Sequence, residues 1–310
     1  MEGASASQAQ PAASNPTQRL TDLGQRRTYL GMAWRRFRRN KLAMLGLAVL
    51  VLMIVFALCA GLISQYITGF ALSDQNLMNA YQPIGAENHL LGTDDVGRDV
   101  ATRLAYGARV SLGVAGLAVL GAMTIGVTVG LMAGYHGGVI DSLAMRFVDI
   151  MLSIPTLFLL LLVATLFTLN ALALAGLIAA VAWVTLSRLI RGEVIAAKNR
   201  DYVDAARVVG AKNTRIIFRH ILPNVAPVVI VWASLAVPAL ILTEASLSFL
   251  GLGIQPPDPS WGNMLSNAQR VWSRSTSLVV LPGLAIYITV FAINLMGNGL
   301  RDALDPRLTD

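Results

Sequence analysis

Residues 191–224 read RGEVIAAKNRDYVDAARVVGAKNTRIIFRHILPN. This segment carries seven lysines and arginines, too much charge for the hydrocarbon of a membrane, yet its pattern indicates ordered structure. We expect a short helix that is capped by Asp201, extends to about Val209 and ends at Gly210, because glycine accepts the left-handed conformation that follows a helix. One face of this helix presents four residues at helical spacing: Tyr202, Ala205, Ala206 and Val209.

A second short helix is predicted from about Thr214 to Ile221, and Pro223 marks the entry into the next segment. The alanines at the centre of the first helix would let the surface of another protein approach closely. Arg200 and Arg207 would pair with acidic residues of that partner. The alternative is a basic loop that only anchors the neighbouring spans, but the succession of helix, glycine, helix and proline favours docking.

The chain on both sides of this loop is strongly apolar. Of its 310 residues, 55% are hydrophobic and 13% are charged, about half the charged share of a soluble domain. About 20 apolar residues cross a bilayer, and six segments qualify: 42–64, 110–134, 147–169, 171–189, 225–249 and 278–300. We therefore predict an all-α, polytopic membrane protein with six transmembrane helices, the third and fourth joined by a tight hairpin around Asn170.

The basic residues are distributed unequally between the two sides of the membrane. With the N-terminus in the cytoplasm, 19 of the 24 lysines and arginines fall in cytoplasmic segments, as the positive-inside rule requires. Both termini are therefore expected inside. Because these residues flank apolar segments and form no single basic face, nucleic-acid binding is disfavoured despite the net charge of +7.

This topology divides the chain into four parts. Residues 1–41 form a cytoplasmic tail, partly disordered, and residues 42–106 form the first span with an extracytoplasmic segment. Residues 107–300 form the transmembrane core with the loop 191–224, and residues 301–310 form a cytoplasmic tail.

Two features of the spans concern helix packing. Gly126 and Gly130 have the GxxxG spacing that allows close approach of two helices in lipid, a weak signal by itself. Prolines within the spans are expected to bend helices, in preference to acting as gating hinges; they are Pro155, Pro227, Pro238 and Pro282.

The sequence contains no sign of catalytic chemistry. No Gly-x-x-x-x-Gly-Lys-Ser/Thr phosphate loop occurs, so ATP would have to be hydrolysed by another chain. The three histidines are far apart and Cys59 lies in an apolar run, which leaves no metal-ligand spacing. We predict no catalytic residue, no cofactor and no metal.

The motif Asp204-Ala205-Ala206, then Gly210 and Leu222-Pro223, resembles the EAA motif of ABC importer permeases. Two departures are visible, since Asp204 replaces the usual Glu and His220 replaces the usual Ile. Further blocks resemble the dipeptide and oligopeptide permeases of this group: 91–99 with Arg103 and 106–109, 134–138, 247–262 and 294–306. The chain is thus similar, from about residue 35 to 306, to a C-type permease of a dipeptide importer.

This resemblance implies a type I ABC importer permease fold in the bacterial plasma (inner) membrane. It implies a coupling helix that docks onto a separate ATPase, carried by nine residues: Arg200, Tyr202, Asp204, Ala205, Ala206, Arg207, Gly210, Leu222 and Pro223. The partners implied are a second homologous permease, two cytoplasmic ATPase subunits, a periplasmic or surface solute-binding protein, membrane lipid and a peptide substrate. Glutathione and nickel importers share these blocks, so the solute stays open.

Two further places are candidate sites. Glu244 is predicted inside the fifth span or near its outer end, where it would line the translocation path, pair with an outer arginine or lie at the interface. In the outer segment, Asp94, Asp95 and Arg98 would contact the binding protein or the partner permease, or else form a structural turn before the second span.

Two other classes of protein are less compatible with the sequence. A secondary transporter would need polar groups at mid-membrane and inverted repeats. No inverted repeats are visible, and apart from Glu244 the centres of the spans are nearly free of charge. A membrane-anchored receptor or structural protein would not need an amphipathic docking segment between the fourth and fifth spans.

Overall fold

The apolar segments fold into long helices. A computed structural model describes residues 29–86, 88–269 and 271–305. Its principal helices are α1 (Tyr29–Arg39), α2 (Lys41–Leu58), α3 (Val100–His136), α4 (Gly138–Ser153), α5 (Thr156–Leu166), α6 (Ala171–Lys198), α7 (Asp201–Val208), α8 (Leu222–Phe249), α9 (Trp261–Gln269) and α10 (Ser277–Leu304).

The number of membrane spans is five or six within the described residues. Five segments are long and apolar enough to cross a membrane: α2, α3, α6, α8 together with the turns that precede it from Asn213, and α10. The sixth is the pair α4 and α5, which passes the same test together but is bent by 83°. The all-α, multi-span fold class predicted from the sequence is confirmed.

The third span differs from the continuous helix expected over 147–169. The helix breaks at Ile154, whose backbone is extended, and α5 restarts after Pro155. An extended conformation is what a residue before proline prefers. With 11 residues, α5 is about 16 Å long and covers only half of the hydrocarbon by itself.

The connection between α5 and α6 is short, but it consists of residues 167–170, whereas the sequence predicts a hairpin at Asn170 alone. Asn170 precedes α6 in an extended conformation, and its Oδ1 accepts a hydrogen bond of 2.8 Å from the backbone N–H of Ala173. This cap satisfies one of the free amide groups at the helix start.

Helices α3 and α6 form the central pair of the bundle. Along α3, Gly126, Gly130 and Gly134 lie directly against α6; a Cβ at Gly130 would come within 2.7 Å of the Ser187 carbonyl oxygen. The GxxxG spacing therefore does mark a close helix contact. Small residues also bring α2 against α10, where a Cβ at Gly46 would lie 2.5 Å from the Ala292 carbonyl oxygen.

The chain between α2 and α3 is irregular. After α2 the helix continues through a wider, π-helical turn at Ile63–Thr68, and a short 3₁₀ turn follows at Leu77–Asn79. Asp99 then caps α3, since its Oδ1 accepts a 2.7 Å hydrogen bond from Thr102 N.

The ends of the chain are described in part. The basic stretch before the first span forms α1, a helix that the sequence analysis did not predict. The disorder expected in the N-terminal tail, over residues 1–15, lies outside the described residues, as do the rest of residues 1–28 and residues 306–310. The last helix, α10, continues to Leu304, past the predicted end of the sixth span.

Candidate functional site

The loop between α6 and α8 contains the predicted short helix. Helix α7 begins after Arg200, which has an extended backbone (φ −94°, ψ 145°) and no capping hydrogen bond from its side chain. The prediction that Asp201 is the cap is therefore wrong by one position. Asp201 lies in the first turn together with Asp204, where acidic side chains interact favourably with the helix dipole.

Gly210 terminates α7 as predicted. Its φ of +83° lies in the left-handed region that glycine tolerates. Ala211 N donates to Ala206 O at 3.0 Å and Gly210 N donates to Arg207 O at 2.9 Å, which are the two hydrogen bonds of a Schellman motif. The end of the helix is thus fixed by the glycine.

Three side chains attach this loop to the bundle. Val203, Ile216 and Ile221 are fully buried. They pack in one apolar cluster with residues of α3, α6 and α8: Leu131, Tyr135, Leu186, Ile190, Val194, Val225 and Val229. The loop is consequently part of the folded core at this end of the molecule.

Polar contacts at the end of α3 hold the loop as well. Tyr135 OH donates to Asn213 Oδ1 at 2.8 Å, and Lys198 Nζ donates to the Tyr135 carbonyl oxygen at 2.6 Å. Asn224 Nδ2 donates to Tyr202 OH at 3.3 Å. Tyr135, Lys198, Asn213 and Asn224 were not predicted as site residues. Tyr135 lies in the sequence block 134–138 quoted above, and this was the only indication in the sequence that it belongs to the site.

The predicted small-residue face of α7 is open. Tyr202, Ala205 and Val209 are exposed and Ala206 is half-buried. With neighbouring residues they line a concavity of about 370 Å³: Tyr202, Ala205, Ala206, Val209, Gly210, Ala211, Arg215 and His220. A shallow apolar surface with basic residues at its edge is suited to a complementary protein surface.

The charged residues of α7 pair with each other. Arg207 Nη1 donates to Asp204 Oδ1 at 2.7 Å, and both side chains are exposed. Exposed pairs of this kind contribute little to stability, so either partner is available to another protein at small cost.

The second predicted helix of the loop is shorter than expected. A helical turn at Asn213–Ile216 passes into a wide π-helical turn, Ile217–Ile221, which runs directly into α8. Leu222 and Pro223 are the first two residues of α8. The backbone N–H of Leu222 donates to Ile217 O, so the chain stays helical from the π-helical turn into α8.

The outer candidates form a buried ionic cluster. Asp94 Oδ1 accepts hydrogen bonds from Val96 N at 3.0 Å and Arg98 N at 2.9 Å, and its Oδ2 accepts from Arg98 Nε at 2.6 Å. Asp94 and Arg98 are 9% and 8% exposed. Their contacts are those of a structural turn, whereas Asp95 keeps 38% of its side chain exposed.

Arg103 lies behind this turn and was not singled out as a site residue. Its Nε is 3.4 Å from Asp94 Oδ2, but Nη1 and Nη2 make no hydrogen bond with any described residue although both are buried. A cavity of about 20 Å³ adjoins it and is also lined by Asp95 and Asn267. That volume holds about one water molecule.

Glu244 is fully buried near the C-terminal end of α8. Its carboxyl group accepts 2.8 Å hydrogen bonds from Ser111 Oγ of α3 and Ser248 Oγ of α8. Ser111 Oγ in turn accepts from Trp261 N at 3.2 Å, and Ser248 Oγ accepts from Ile254 N at 3.1 Å. Glu244 thus connects α3, α8 and the 250–261 segment, and no arginine among the described residues is in contact with it.

Nothing in the described part of the chain brings three or more His, Cys, Asp or Glu side chains together as metal ligands. The loop, the outer ionic cluster and the Glu244 cluster share none of the contacts described above. Of these three places, only the loop presents an open surface built from several of the predicted site residues.

Comparison with known proteins places the chain among transport permeases. A family model described as the binding-protein-dependent transport system inner membrane component matches residues 126–310. A second model, the N-terminal TM domain of oligopeptide transport permease C, matches residues 28–83.

Individual relatives match over nearly the whole chain. The oligopeptide transport system permease protein of Haemophilus influenzae is 43% identical over 277 residues, which cover 89% of this chain and 88% of the relative. The dipeptide permease of Alkalihalophilus pseudofirmus is 42% identical, covering 89% of each chain. The di/tripeptide permease of Pseudomonas aeruginosa is 41% identical, covering 89% of this chain and 91% of the relative.

A solved structure, titled as inward-facing conformations of the MetNI methionine ABC transporter, is similar with a TM-score of 0.49 and 20% identity, covering 66% of this chain and 96% of the other. The first family model matches more than half of the chain, and the relatives are about 40% identical to it over most of its length. The chain therefore belongs to the family of binding-protein-dependent transport system inner membrane components, and it is a multi-pass permease of the inner membrane.

Proposed function

We propose that this permease forms half of the translocation pathway for dipeptides or short peptides and couples to a separate ATPase through the 200–223 loop. A second homologous permease would supply the other half. Two cytoplasmic ATPase subunits and a periplasmic or surface solute-binding protein would complete the importer. Both termini would lie in the cytoplasm.

The observation that carries the docking proposal is the open face of α7. Tyr202, Ala205 and Val209 are exposed on one side of a helix whose other side is held in the core by Val203. A partner that binds this face would therefore push against the bundle through buried contacts. Movement of the partner would be passed to α3, α6 and α8, which surround Val203.

The outer residues are proposed in a narrower role. Asp95 is the member of the outer trio with a substantially exposed side chain, so it is the one available to a binding protein or a second permease. Asp94 and Arg98 would support that surface from within. For Glu244, a role in lining the path would require Ser111 or Ser248 to move away from it during the transport cycle, since both cover its carboxyl group here.

The substrate class is proposed from the relatives. Those cited above are named as oligopeptide, dipeptide and di/tripeptide permeases. Glutathione and nickel remain the alternatives to test, because the resemblance of the sequence blocks extends to importers of these solutes.

The docking proposal is tested by substitutions at two adjacent residues. Val209 and Val208 are 87% and 88% exposed, but only Val209 lines the concavity. The chain would be purified from cells that express the neighbouring transport genes, and co-purifying ATPase and uptake of labelled dipeptide would be measured. Val209→Asp, and likewise Ala205→Asp, should abolish both, because a carboxylate would be buried without a partner in the contact.

Val208→Asp is the matched control and should retain both the ATPase and uptake. Retention of the ATPase by Ala205→Asp and Val209→Asp would contradict the docking proposal, as would transport by the chain without any ATPase. If the ATPase contact behaves as expected but labelled glutathione or nickel enters in place of dipeptide, only the substrate is revised.

A further inference from the structure

Helix α1 has one face that is fixed to the bundle. Ala33 and Phe37 are 7% and 4% exposed. Phe37 packs with Ala43 of α2 and Ala303 of α10 in a small apolar cluster. This contact determines which side of α1 is turned outward.

The opposite face of α1 is basic. Arg35, Arg38 and Arg39 are exposed and follow the i, i+3, i+4 spacing that places side chains on one side of a helix. Arg36 is half-buried, and the exposed Lys41 follows at the start of α2. None of these five cations forms an ion pair with a carboxylate in the described ranges, so the chain itself leaves this charge unneutralised there.

The basic face lies at the edge of the hydrocarbon. Only Asn40 separates α1 from α2. Directly after Lys41, the side chains Leu42 and Leu45 are 62% and 55% exposed on α2, which is long and apolar enough to span the membrane. The arginines of α1 are therefore within a few residues of the boundary, at the level of the lipid headgroups.

Trp34 supports the same placement. It is 53% exposed at the flank of the basic face, and its ring stacks on Phe37 with a centroid separation of 5.8 Å. Tryptophan is enriched at membrane interfaces because its ring is apolar while its N–H is polar. An amphipathic helix with a basic face and an interfacial tryptophan is typical of segments that lie on a membrane.

We propose that α1 is a surface helix that binds anionic phospholipid headgroups through Arg35, Arg38 and Arg39, with Trp34 inserted at headgroup level. A cluster of four or more cations immediately beside a transmembrane helix attracts anionic lipid. Each cation near such a surface strengthens binding about fivefold. Three of them together contribute a factor of about a hundred. This binding requires only that α2 spans the membrane and is independent of the ATPase contact.

The test uses the fluorescence of Trp34. The full chain would be purified in a neutral detergent and titrated with dibrominated phosphatidylglycerol or dibrominated phosphatidylcholine, whose bromine quenches nearby indole rings. The same titration of Trp34→Phe subtracts the signal of the other four tryptophans. We expect quenching by phosphatidylglycerol at much lower concentration than by phosphatidylcholine, and weaker binding at high salt.

Two charge-matched variants complete the experiment. Arg35→Gln, Arg38→Gln and Arg39→Gln together should weaken phosphatidylglycerol binding about a hundredfold. Lys212→Gln, Arg215→Gln and Arg219→Gln remove the same charge from exposed positions of the loop and should leave the Trp34 titration within twofold. Equal quenching by both lipids, no quenching by either, or an equal loss in both triple variants would overturn the proposal.

Discussion

Gly210 and Ser111 differ in how far their roles can be predicted from the sequence. Gly210 follows a short amphipathic pattern, so its left-handed backbone and its place at the end of α7 were predictable. Ser111 lies in an apolar run with no pattern around it, and its partners Glu244 and Trp261 are more than 130 residues away in sequence. Contacts between distant segments cannot be predicted from local spacing.

At the residue scale, the Glu244 cluster predicts that Ser111→Ala loosens the outer part of the bundle. The substitution removes the hydroxyl that donates to Glu244 and accepts from Trp261 N, leaving both groups buried with one partner fewer. A buried polar group without its partner costs about 1–3 kcal/mol. The free energy of unfolding in detergent should fall by about this amount.

The control for this prediction is Thr128→Val in the same helix. The hydroxyl of Thr128 is exposed and bonds only to the Thr124 carbonyl oxygen of its own helix, at 2.7 Å. Thr128→Val should therefore leave the unfolding free energy nearly unchanged. If Ser111→Ala is as stable as Thr128→Val, the hydrogen bonds of Ser111 do not hold the outer segment.

At the scale of elements, the hydrophobic pattern located the spans but not their breaks and continuations. Helix α3 begins ten residues before the predicted span because Asp99 caps it in the outer segment, and polar residues near a cap do not register as hydrophobic. The sequence predicts a bend of the helix at Pro155. The structure has a break at Ile154 with a bend of 83°, because no hydrogen bonds connect α4 to α5. Helix α1 was not predicted, because its arginines were interpreted only as evidence for which side of the membrane the N-terminus occupies.

The glycines of α3 predict where this helix pair can be disrupted. A Cβ at Gly130 would meet Ser187 O, Ile190 Cβ and Ile190 Cγ2 at 2.7 to 2.9 Å, so α6 would have to move. Overpacking of this kind costs about 1–3 kcal/mol. Gly130→Ala should lower the melting temperature of the purified permease.

Gly113 supplies the comparison, because a Cβ there has nothing within 4 Å. Gly113→Ala should keep or raise the melting temperature, since alanine favours the helix. Equal melting temperatures for Gly113→Ala and Gly130→Ala would show that the contact between α3 and α6 tolerates an additional methyl group.

At the scale of the whole molecule, the direction in which the chain crosses the membrane depends on α4 and α5. If this bent pair crosses, six spans place both termini on the same side, in agreement with the distribution of lysine and arginine. If it returns to the side from which it enters, the connection between α5 and α6 lies in the cytoplasm and the later segments change sides. Charge counting favours the crossing, because a return would move the 191–224 loop, with its seven lysines and arginines, to the outer side.

A single-cysteine experiment separates the two cases. Cys59 is the only cysteine, so Cys59→Ala provides a background for Thr168→Cys, at an exposed position between α5 and α6. We expect a membrane-impermeant maleimide to label Thr168→Cys in intact cells, because the bent pair crosses the bilayer.

Two further cysteines calibrate this labelling. Gln75→Cys, at an exposed position between α2 and α3, should label in intact cells. His136→Cys, at the exposed end of α3 just before the bent pair, should label only after permeabilisation. If Thr168→Cys behaves like His136→Cys, the pair is re-entrant and the six-span topology is wrong.

The length of α3 has a mechanical consequence. Its 37 residues extend for about 55 Å, nearly twice the thickness of the hydrocarbon, and contain no proline. One end is anchored by Asp99 in the turn before the helix, and the other contacts the 200–223 loop through Tyr135 and Asn213. The helix has no break at which a tilt could be absorbed. A force applied to α3 at one face of the membrane would therefore also displace the residues that it contacts at the opposite face.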